Sequence, residues 1–179
     1  MSETLDWTPA LERPHLLAPA VAKAIETIPA LSSAQVTQID PALSDTEKLC
    51  GHYDVPLDQC GNCVVVAGRR GEQVTLAACL VLATTRADVN GVVRRHLDAR
   101  KASFAPMDDA VELTGMEYGG ITPIGLPASW SILVDSRVIA MPHVIIGSGV
   151  RHSKIAIAGP ALGALPGAEV IEGLARDAI

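Results

Sequence analysis

Two apolar runs in the middle of the chain constrain its fold more than any other feature. The first, CVVVAG, begins at Cys63, and the second, VTLAACLVLA, begins at Val74. The polar residues 69–72 separate the two runs. Short apolar runs on either side of a polar turn predict a β-hairpin whose strands lie deep in a sheet.

Weaker patterns on both sides of the hairpin predict further helices and strands. Apolar residues recur at helical spacing over residues 15–28, Ser44 or Asp45 caps a second helix that reaches Tyr53, and Asp88 caps a third. A fourth helix is expected over residues 106–113 and strands over residues 34–39, 131–135, 143–149 and from Lys154, with helix or strand over 168–179. This order predicts an α/β (α+β) fold, with a curved, mixed, mostly antiparallel sheet flanked by helices.

The length of 179 residues fits one domain with a real core. Residues 1–14 are polar and contain Pro9 and Pro14, so we expect a loosely attached arm followed by a single domain over residues 15–179. Although 49% of the residues are hydrophobic, no apolar run reaches the roughly 18 residues of a membrane span. The first residues also lack the basic and apolar regions of a secretory signal. We therefore expect a cytoplasmic protein with no membrane partner.

The charge distribution limits the kinds of partner. Residues 1–60 hold nine acidic and three basic side chains, which account for the whole net charge of −6. Between residues 86 and 101, five basic and two acidic residues leave a local charge of +3, which indicates either a solvated helix face or a contact with phosphate. Because aromatic residues make up only 3% of the chain, we expect any contact with nucleic acid to be local.

A glycine-rich loop, GGITPIG, begins at Gly119 and is the most informative motif for chemistry. Adjacent glycines let a ligand approach the backbone, so that N–H groups can point at a carbonyl oxygen or a phosphate. Pro123 would stiffen such a pocket. An ordinary connection within a sheet is an equally good interpretation of the same residues.

A second turn, Gly147-Ser148-Gly149, is followed by Arg151 and His152. Serine and histidine together suggest a nucleophile and its base, but the turn lacks the Gly-x-Ser-x-Gly pattern of a nucleophile elbow. A turn between strands, or one wall of a binding site, is the better interpretation.

Both loops resemble segments of one protein family, the free-standing aminoacyl-tRNA editing proteins of the YbaK and prolyl-tRNA-synthetase-associated type. TGMEYGGITPIGLP, from Thr114, resembles the family signature TG...GGxSPxG, and IIGSGVRHSKI, from Ile145, resembles its GGxRGxxI segment. The order of helix SDTEKLCGHYDV, turn PLDQ and strand NCVVVAG also fits, and the likeness spans residues 34–175. The resemblance implies a barrel-like editing fold.

The resemblance also implies a trans-editing deacylase, in which water attacks the ester of a mischarged tRNA. Carried over to this sequence, Gly119, Gly120 and Ile121 would supply hydrogen-bond donors and shape around the ester, and Asn62 stands where the family commonly has a lysine. The substrate-binding residues would be Thr122, Pro123, Gly125, Gly147, Ser148, Gly149, Arg151 and His152. The implied partners are the acceptor end of aminoacyl-tRNA and a synthetase, and no cofactor is implied.

Two other interpretations compete with catalysis. A non-catalytic module of the same fold could bind aminoacyl-tRNA or a synthetase, which the missing lysine at Asn62 favours. Alternatively, four potential ligands could hold zinc, and the C-x-x-C pair within them could suggest dithiol chemistry: Cys50, His52, Cys60 and Cys63. Outside these motifs, His96 falls on the apolar face of the third helix and is expected to be a core residue.

Overall fold

The computed structural model describes residues 3–178, which form three β-sheets and six α-helices. The strands are β1 Thr8–Pro9, β2 Gln35–Gln38, β3 Gly61–Arg70, β4 Gln73–Leu82, β5 Thr85–Ala87, β6 Lys101–Phe104, β7 Ser131–Asp135, β8 Val144–Gly147, β9 Ser153–Ile157, β10 Ala168–Ile171 and β11 Ala175–Asp177. The helices are α1 Pro19–Thr27, α2 Thr46–Tyr53, α3 Arg94–His96, α4 Met107–Thr114, α5 Ser136–Ile139 and α6 Gly159–Gly163.

The strands confirm the predicted α/β fold with mixed, mostly antiparallel pairing. One sheet has the order β10-β7-β4-β3-β6, the second β1-β2-β9-β8 and the third β11-β5. Among the described strand pairs, only those that β7 makes with β4 and β10 are parallel. Instead of a single curved sheet there are three, and the described strands do not close into a barrel. A parallel bridge between Cys60 and Ile145 connects the two larger sheets.

The central hairpin is confirmed and is longer than predicted. Strands β3 and β4 pair from Gly61 with Leu82 to Arg70 with Gln73. The turn therefore consists of residues 71 and 72 alone, and Gly71 adopts a left-handed φ of 61° there. A two-residue turn of this kind suits glycine, because its backbone takes positive φ without steric cost.

The helix starts follow from their caps. Asp45, not Ser44, caps α2, since its carboxylate accepts hydrogen bonds from the N–H groups of Glu47 and Lys48. Asp88 caps a π-helical turn, residues 89–93, that leads into α3. Helix α1 begins four residues later than residue 15, because Pro19 occupies its first position and has no N–H to contribute.

Long-range pairing gives both chain ends a structure that differs from the one expected from the sequence. Within the expected arm, β1 pairs with β2, and Ala10 is buried. Residues 168–177 contain strands β10 and β11 and no described helix. His96 is exposed and lies 2.7 Å from the carboxylate of Glu169, so the core role expected for it is wrong. At the surface His96 instead meets β10 through its contact with Glu169.

The main core lies between the sheet β1-β2-β9-β8, helix α1 and the inner strands of the largest sheet. A smaller core covers the opposite face of the hairpin, around Val66, Val81 and Val93. Together these cores fix the first half of β3 against the turn that joins β8 to β9. Among the residues described, no helix has the length and apolar character needed to cross a bilayer.

Candidate functional site

A cavity of about 600 Å³ opens where five segments meet. Its walls are the start of α2, the first half of β3, the end of β6 with the start of α4, the bend between α4 and β7, and the turn between β8 and β9. Five of the residues selected for the editing site line it: Asn62, Gly119, Ile121, Gly147 and Arg151. The structure thus brings residues from three separate motifs to one place.

The backbone of the glycine bend is open towards the cavity at two positions. Gly119 has a φ of 81°, and a Cβ atom there would lie 3.0 Å from Ser44 Oγ and 3.1 Å from Arg151 Nη1, so only glycine fits without strain. Within residues 3–178, no group accepts a hydrogen bond from the N–H of Gly119 or of Ile121. These two N–H groups are available to a ligand.

Gly120 has a different role from the one the resemblance implies. Its N–H donates to the carbonyl of Glu117 at 3.0 Å, and its own carbonyl accepts from the N–H of Gly149 at 2.7 Å. A Cβ atom at Gly120 would lie 2.6 Å from the carbonyl oxygen of Val150. The expectation that Gly120 supplies a donor is therefore wrong, and its glycine is required for packing.

The other residues selected from the sequence lie behind the cavity wall. Thr122, Pro123, Ser148 and Gly149 are buried, and His152 is half-buried outside the lining. A Cβ atom at Gly125 would lie 2.6 Å from the carbonyl oxygen of Ala20 in α1, so this glycine also serves packing. The buried residues among them hold the shape of the bend and its neighbouring turn.

Ser148 in particular is not placed as a nucleophile. Its hydroxyl lies 2.6 Å from that of Ser153 and is within hydrogen-bond distance of two backbone carbonyls, those of Val150 and Ser153. No histidine is among these partners. The sequence-based rejection of a serine–histidine pair agrees with this geometry.

Arg151 joins two walls of the cavity. One guanidinium nitrogen donates to the carbonyl of Tyr118 at 3.0 Å, and another donates to the carbonyl of Pro41 at 3.2 Å. The guanidinium carbon lies 5.8 Å from the centroid of the Tyr118 ring. Because both bonds are charge-assisted, Arg151 fixes the glycine bend relative to the segment that precedes α2.

Asn62 lies at the start of β3, on the wall that faces the glycine bend. Its amide oxygen accepts a hydrogen bond from the hydroxyl of Thr46 at 2.7 Å. This bond orients the side chain and leaves its amide N–H₂ group as the remaining donor. Asn62 therefore brings hydrogen-bonding capacity to the cavity without positive charge.

Lys154 supplies the positive charge on this side, and the sequence analysis did not assign it to the site. It lines the cavity from β9, is only 6% exposed, and donates to the carbonyl of Ser44 at 2.9 Å. Burial lowers the pKa of its ammonium group, and the nearby Asp45 offsets part of that effect. A lysine inside an otherwise apolar strand, KIAIA, was the signal that could have identified it.

The cysteines do not form the zinc site or the redox pair. Among residues 3–178, no group of three or more histidine, cysteine or acidic side chains is arranged to hold a metal ion. Cys50 and Cys60 have their sulfur atoms 3.4 Å apart, but Cys63 is three residues along β3 and points to the other face of the strand. Burial raises the pKa of Cys60 to about 12, with a smaller contribution from its hydrogen bond to Cys50. Cys60 is therefore a packed thiol and not a reactive one.

Comparison with solved structures gives the same fold. A candidate trans-editing enzyme for prolyl-tRNA synthetase matches with a TM-score of 0.74 and 22% identity, over 90% of this chain and 97% of its own. A hypothetical protein matches with a TM-score of 0.76 and 17% identity, over 88% of this chain and 99% of its own. At these identities the likeness concerns the fold alone.

Comparison of sequences identifies the family. Over 70 residues the chain is 37% identical to the proline–tRNA ligase of Lactobacillus gasseri, a match that covers 38% of this chain and 12% of that ligase. The profile of the aminoacyl-tRNA editing domain matches residues 40–165, a range that includes the glycine bend, Asn62 and Lys154. The chain belongs to the aminoacyl-tRNA editing domain family.

Proposed function

We propose that this protein is a trans-editing hydrolase, which removes a wrongly attached amino acid from aminoacyl-tRNA by the attack of water on the ester. The observation that carries the proposal is the convergence of unpaired N–H groups, from Gly119 and Ile121, with the buried ammonium of Lys154 in one cavity. Membership of the editing domain family supports it.

The cavity provides the electrostatics that ester hydrolysis needs. Attack on the carbonyl carbon places negative charge on the carbonyl oxygen, and preorganised N–H donors stabilise that charge without reorganising. In our proposal the N–H groups of Gly119 and Ile121 bind this oxygen, and Lys154 adds a positive charge in the same cavity. The ester of an aminoacyl-tRNA is already activated, so orientation of a water molecule can complete the reaction without a catalytic triad.

Lys154 can also supply the positive charge that is missing at Asn62, where the family commonly has a lysine. The two residues line the same cavity, one from β3 and one from β9. A charge delivered from β9 would act on the same substrate as a charge delivered from β3. We therefore propose that Lys154 takes over the electrostatic role, while the amide of Asn62 orients the substrate.

The test is a deacylation assay on a panel of mischarged tRNAs. Because the sequence relative is a proline–tRNA ligase, the panel should include a tRNA for proline that carries other amino acids. We expect the protein to release the amino acid from at least one member faster than buffer does. Failure to accelerate release from any member would refute the proposed reaction.

A pair of glycine variants distinguishes an effect on the cavity from the effect of backbone strain alone. Gly119→Ala and Gly167→Ala both force alanine into a left-handed φ, of 81° and 78° respectively, at a cost of about 1–2 kcal/mol each. Only at Gly119 does the new Cβ atom meet cavity residues, since nothing lies within 4 Å of it at Gly167. We expect both variants to lose stability, Gly119→Ala the more because of these contacts, but a fall in kcat for Gly119→Ala alone. Equal kcat values for the two variants would remove the bend from the mechanism.

The second candidate function is a non-catalytic module that binds aminoacyl-tRNA or a synthetase. It is favoured by the hydrogen bond between Thr46 and Asn62, which leaves an uncharged group where the family commonly has lysine. This function predicts saturable binding of aminoacyl-tRNA with protection of the ester from spontaneous hydrolysis. The same panel distinguishes the two functions, because an editing hydrolase shortens the lifetime of the ester and a binding module extends it.

A further inference from the structure

A second concave surface, which we call the basic groove, lies at the far end of β3 and β6. It has a volume of about 570 Å³ and contains four cationic side chains but no acidic one: Arg69, Arg94, Arg100 and Lys101, with Asn90, Ala102 and Ser103. No carboxylate within residues 3–178 forms an ion pair with any of the four. Arg70, the neighbour of Arg69, is neutralised by Asp98 at 2.8 Å. In a chain with a net charge of −6, the basic groove is an uncompensated concentration of positive charge.

This arrangement of cationic side chains does not stabilise the fold. Arg69 and Lys101 are directly opposite each other in the β3–β6 ladder. Like charges at opposed positions of an antiparallel pair destabilise the sheet. The pairing is therefore a structural cost that an anionic ligand would offset.

The basic groove and the cavity of the candidate site share the same two strands. On β3, Val65 lines the cavity and Arg69 lines the groove, four residues further along, which corresponds to about 13 Å. On β6, Phe104 lines the cavity and its neighbour Ser103 lines the groove, and successive side chains of a strand point to opposite faces. Because β6 is an edge strand of its sheet, a ligand that passes around this edge from the cavity would enter the groove.

Phe104 lies between the two surfaces and is unusually accessible. It is the only phenylalanine of the chain, and it is 63% exposed. An exposed ring beside a cationic groove matches the way proteins hold single-stranded nucleic acid, with bases stacked on an aromatic side chain and phosphates near cations. One ring provides a platform for a single base, in keeping with the low aromatic content.

We propose that the acceptor strand of a tRNA leaves the ester cavity across Phe104 and places its phosphates in the basic groove. The inference rests on the proposed function for the identity of the RNA, and on the charge and spacing of the two surfaces for its path. A stacked strand rises about 3.4 Å per phosphate along its axis, so the roughly 13 Å along β3 from the cavity to the groove corresponds to about four nucleotides. The groove therefore contacts the backbone beyond the terminal nucleotide and reads no base.

The test is the binding of uncharged, unfractionated tRNA to the variant Arg69→Ser with Lys101→Ser, measured by fluorescence anisotropy over a range of salt concentrations. Loss of two phosphate contacts with a single strand lowers the slope of log K against log salt by about 1.4, which corresponds to up to roughly 25-fold in affinity at 0.1 M salt when 1 M salt is the reference. The melting temperature should stay constant or rise, because the like-charged pair is removed. Weaker binding by a variant that is no less stable would support the inference.

The matched control is Arg13→Ser with Lys23→Ser, which makes the same change in net charge at residues that line neither the cavity nor the groove. A groove variant that binds tRNA as the wild type does, or that loses no more affinity than this control, would overturn the proposal. If the groove variant binds tRNA unchanged but no longer binds an acidic protein, the groove is a surface for that protein, and the proposal is overturned as well. Because uncharged tRNA has no ester, this result is independent of hydrolysis, so a protein that binds through the groove but deacylates nothing would refute only the proposed function.

Phe104→Ala tests the path between the two surfaces. Removal of one stacking platform should weaken binding of the same tRNA by roughly 5- to 150-fold, with a smaller change in salt slope than the groove variant shows. Val74→Ala, at an exposed apolar residue of β4 outside both surfaces, is the control for loss of an exposed side chain. Equal binding by these two variants would exclude Phe104 from the path.

Discussion

Replacement of Lys154 by methionine is the sharpest test of how the cavity works. Methionine is unbranched and fills the space of the lysine stem while removing its charge. Lys154 is 6% exposed, and its ammonium group donates to the carbonyl of Ser44 at 2.9 Å. The change therefore removes one buried positive charge and one hydrogen bond, and leaves the rest of the cavity wall in place.

The expected effect on stability is small because two contributions oppose each other. Leaving the Ser44 carbonyl without its donor costs about 1–3 kcal/mol. Removing a buried charge relieves the desolvation that lowers the pKa of Lys154. The net change in the free energy of unfolding at neutral pH should consequently stay within about 2 kcal/mol. Lys23→Met, at an exposed lysine of α1, is the control and should change stability by less than about 0.5 kcal/mol.

The pH dependence of stability identifies the buried ammonium directly. Because the folded-state pKa of Lys154 lies below its ordinary value of 10.5, the folded protein binds fewer protons than the unfolded chain between those two values. The free energy of unfolding therefore rises with pH in that window, and the destabilising contribution of the charge is fully present below it. Urea denaturation at several alkaline pH values should show this rise in the wild type and a smaller one in Lys154→Met.

The expected effect on catalysis is large. Loss of one preorganised electrostatic group usually lowers kcat by about 100- to 1000-fold. The wild-type rate, corrected for spontaneous ester hydrolysis, should also fall as pH rises through the lowered pKa of Lys154, before pH 10.5. A folded Lys154→Met variant with an unchanged kcat would refute the electrostatic role that we assign to this residue.

Three further predictions concern residues that pack around the site. Gly120→Ala should destabilise the protein by about 1–3 kcal/mol, because its Cβ atom would lie 2.6 Å from the Val150 carbonyl oxygen; Gly51→Ala, with nothing within 4 Å, should leave the melting temperature constant or raise it. Arg151→Lys keeps the charge but cannot bridge both carbonyls, so amide hydrogen exchange in residues 118–121 should accelerate and stability should fall by about 1–2 kcal/mol; unchanged exchange would contradict the bridging role. Because burial raises the pKa of Cys60 to about 12, alkylation of this thiol at pH 8 should be slow in the native protein and fast in urea, and rapid native labelling would show that the thiol is accessible and reactive.

The local features of the chain could be predicted from its residues. The apolar runs of β3 and β4 fixed the hairpin, and aspartates at positions 45 and 88 fixed the starts of two helical segments. The glycine bend was recognised as a place where backbone donors could face a ligand, and two of its N–H groups are unpaired. Each of these features depends on neighbours within a few residues, which is why the sequence sufficed for them.

Only the tertiary structure decided how these features combine. Lys154 reaches the carbonyl of Ser44 across 110 positions of sequence, and β2 pairs with β9 over a similar distance. The same long-range packing brings Gly120 against the carbonyl of Val150 and places His96 beside Glu169. Periodicity and turn propensity specify which residues share a face of one element, whereas the partner of that face is chosen by burial summed over the whole fold. For this reason the sequence identified the glycine bend, and the fold brought the charge of Lys154 to the same cavity.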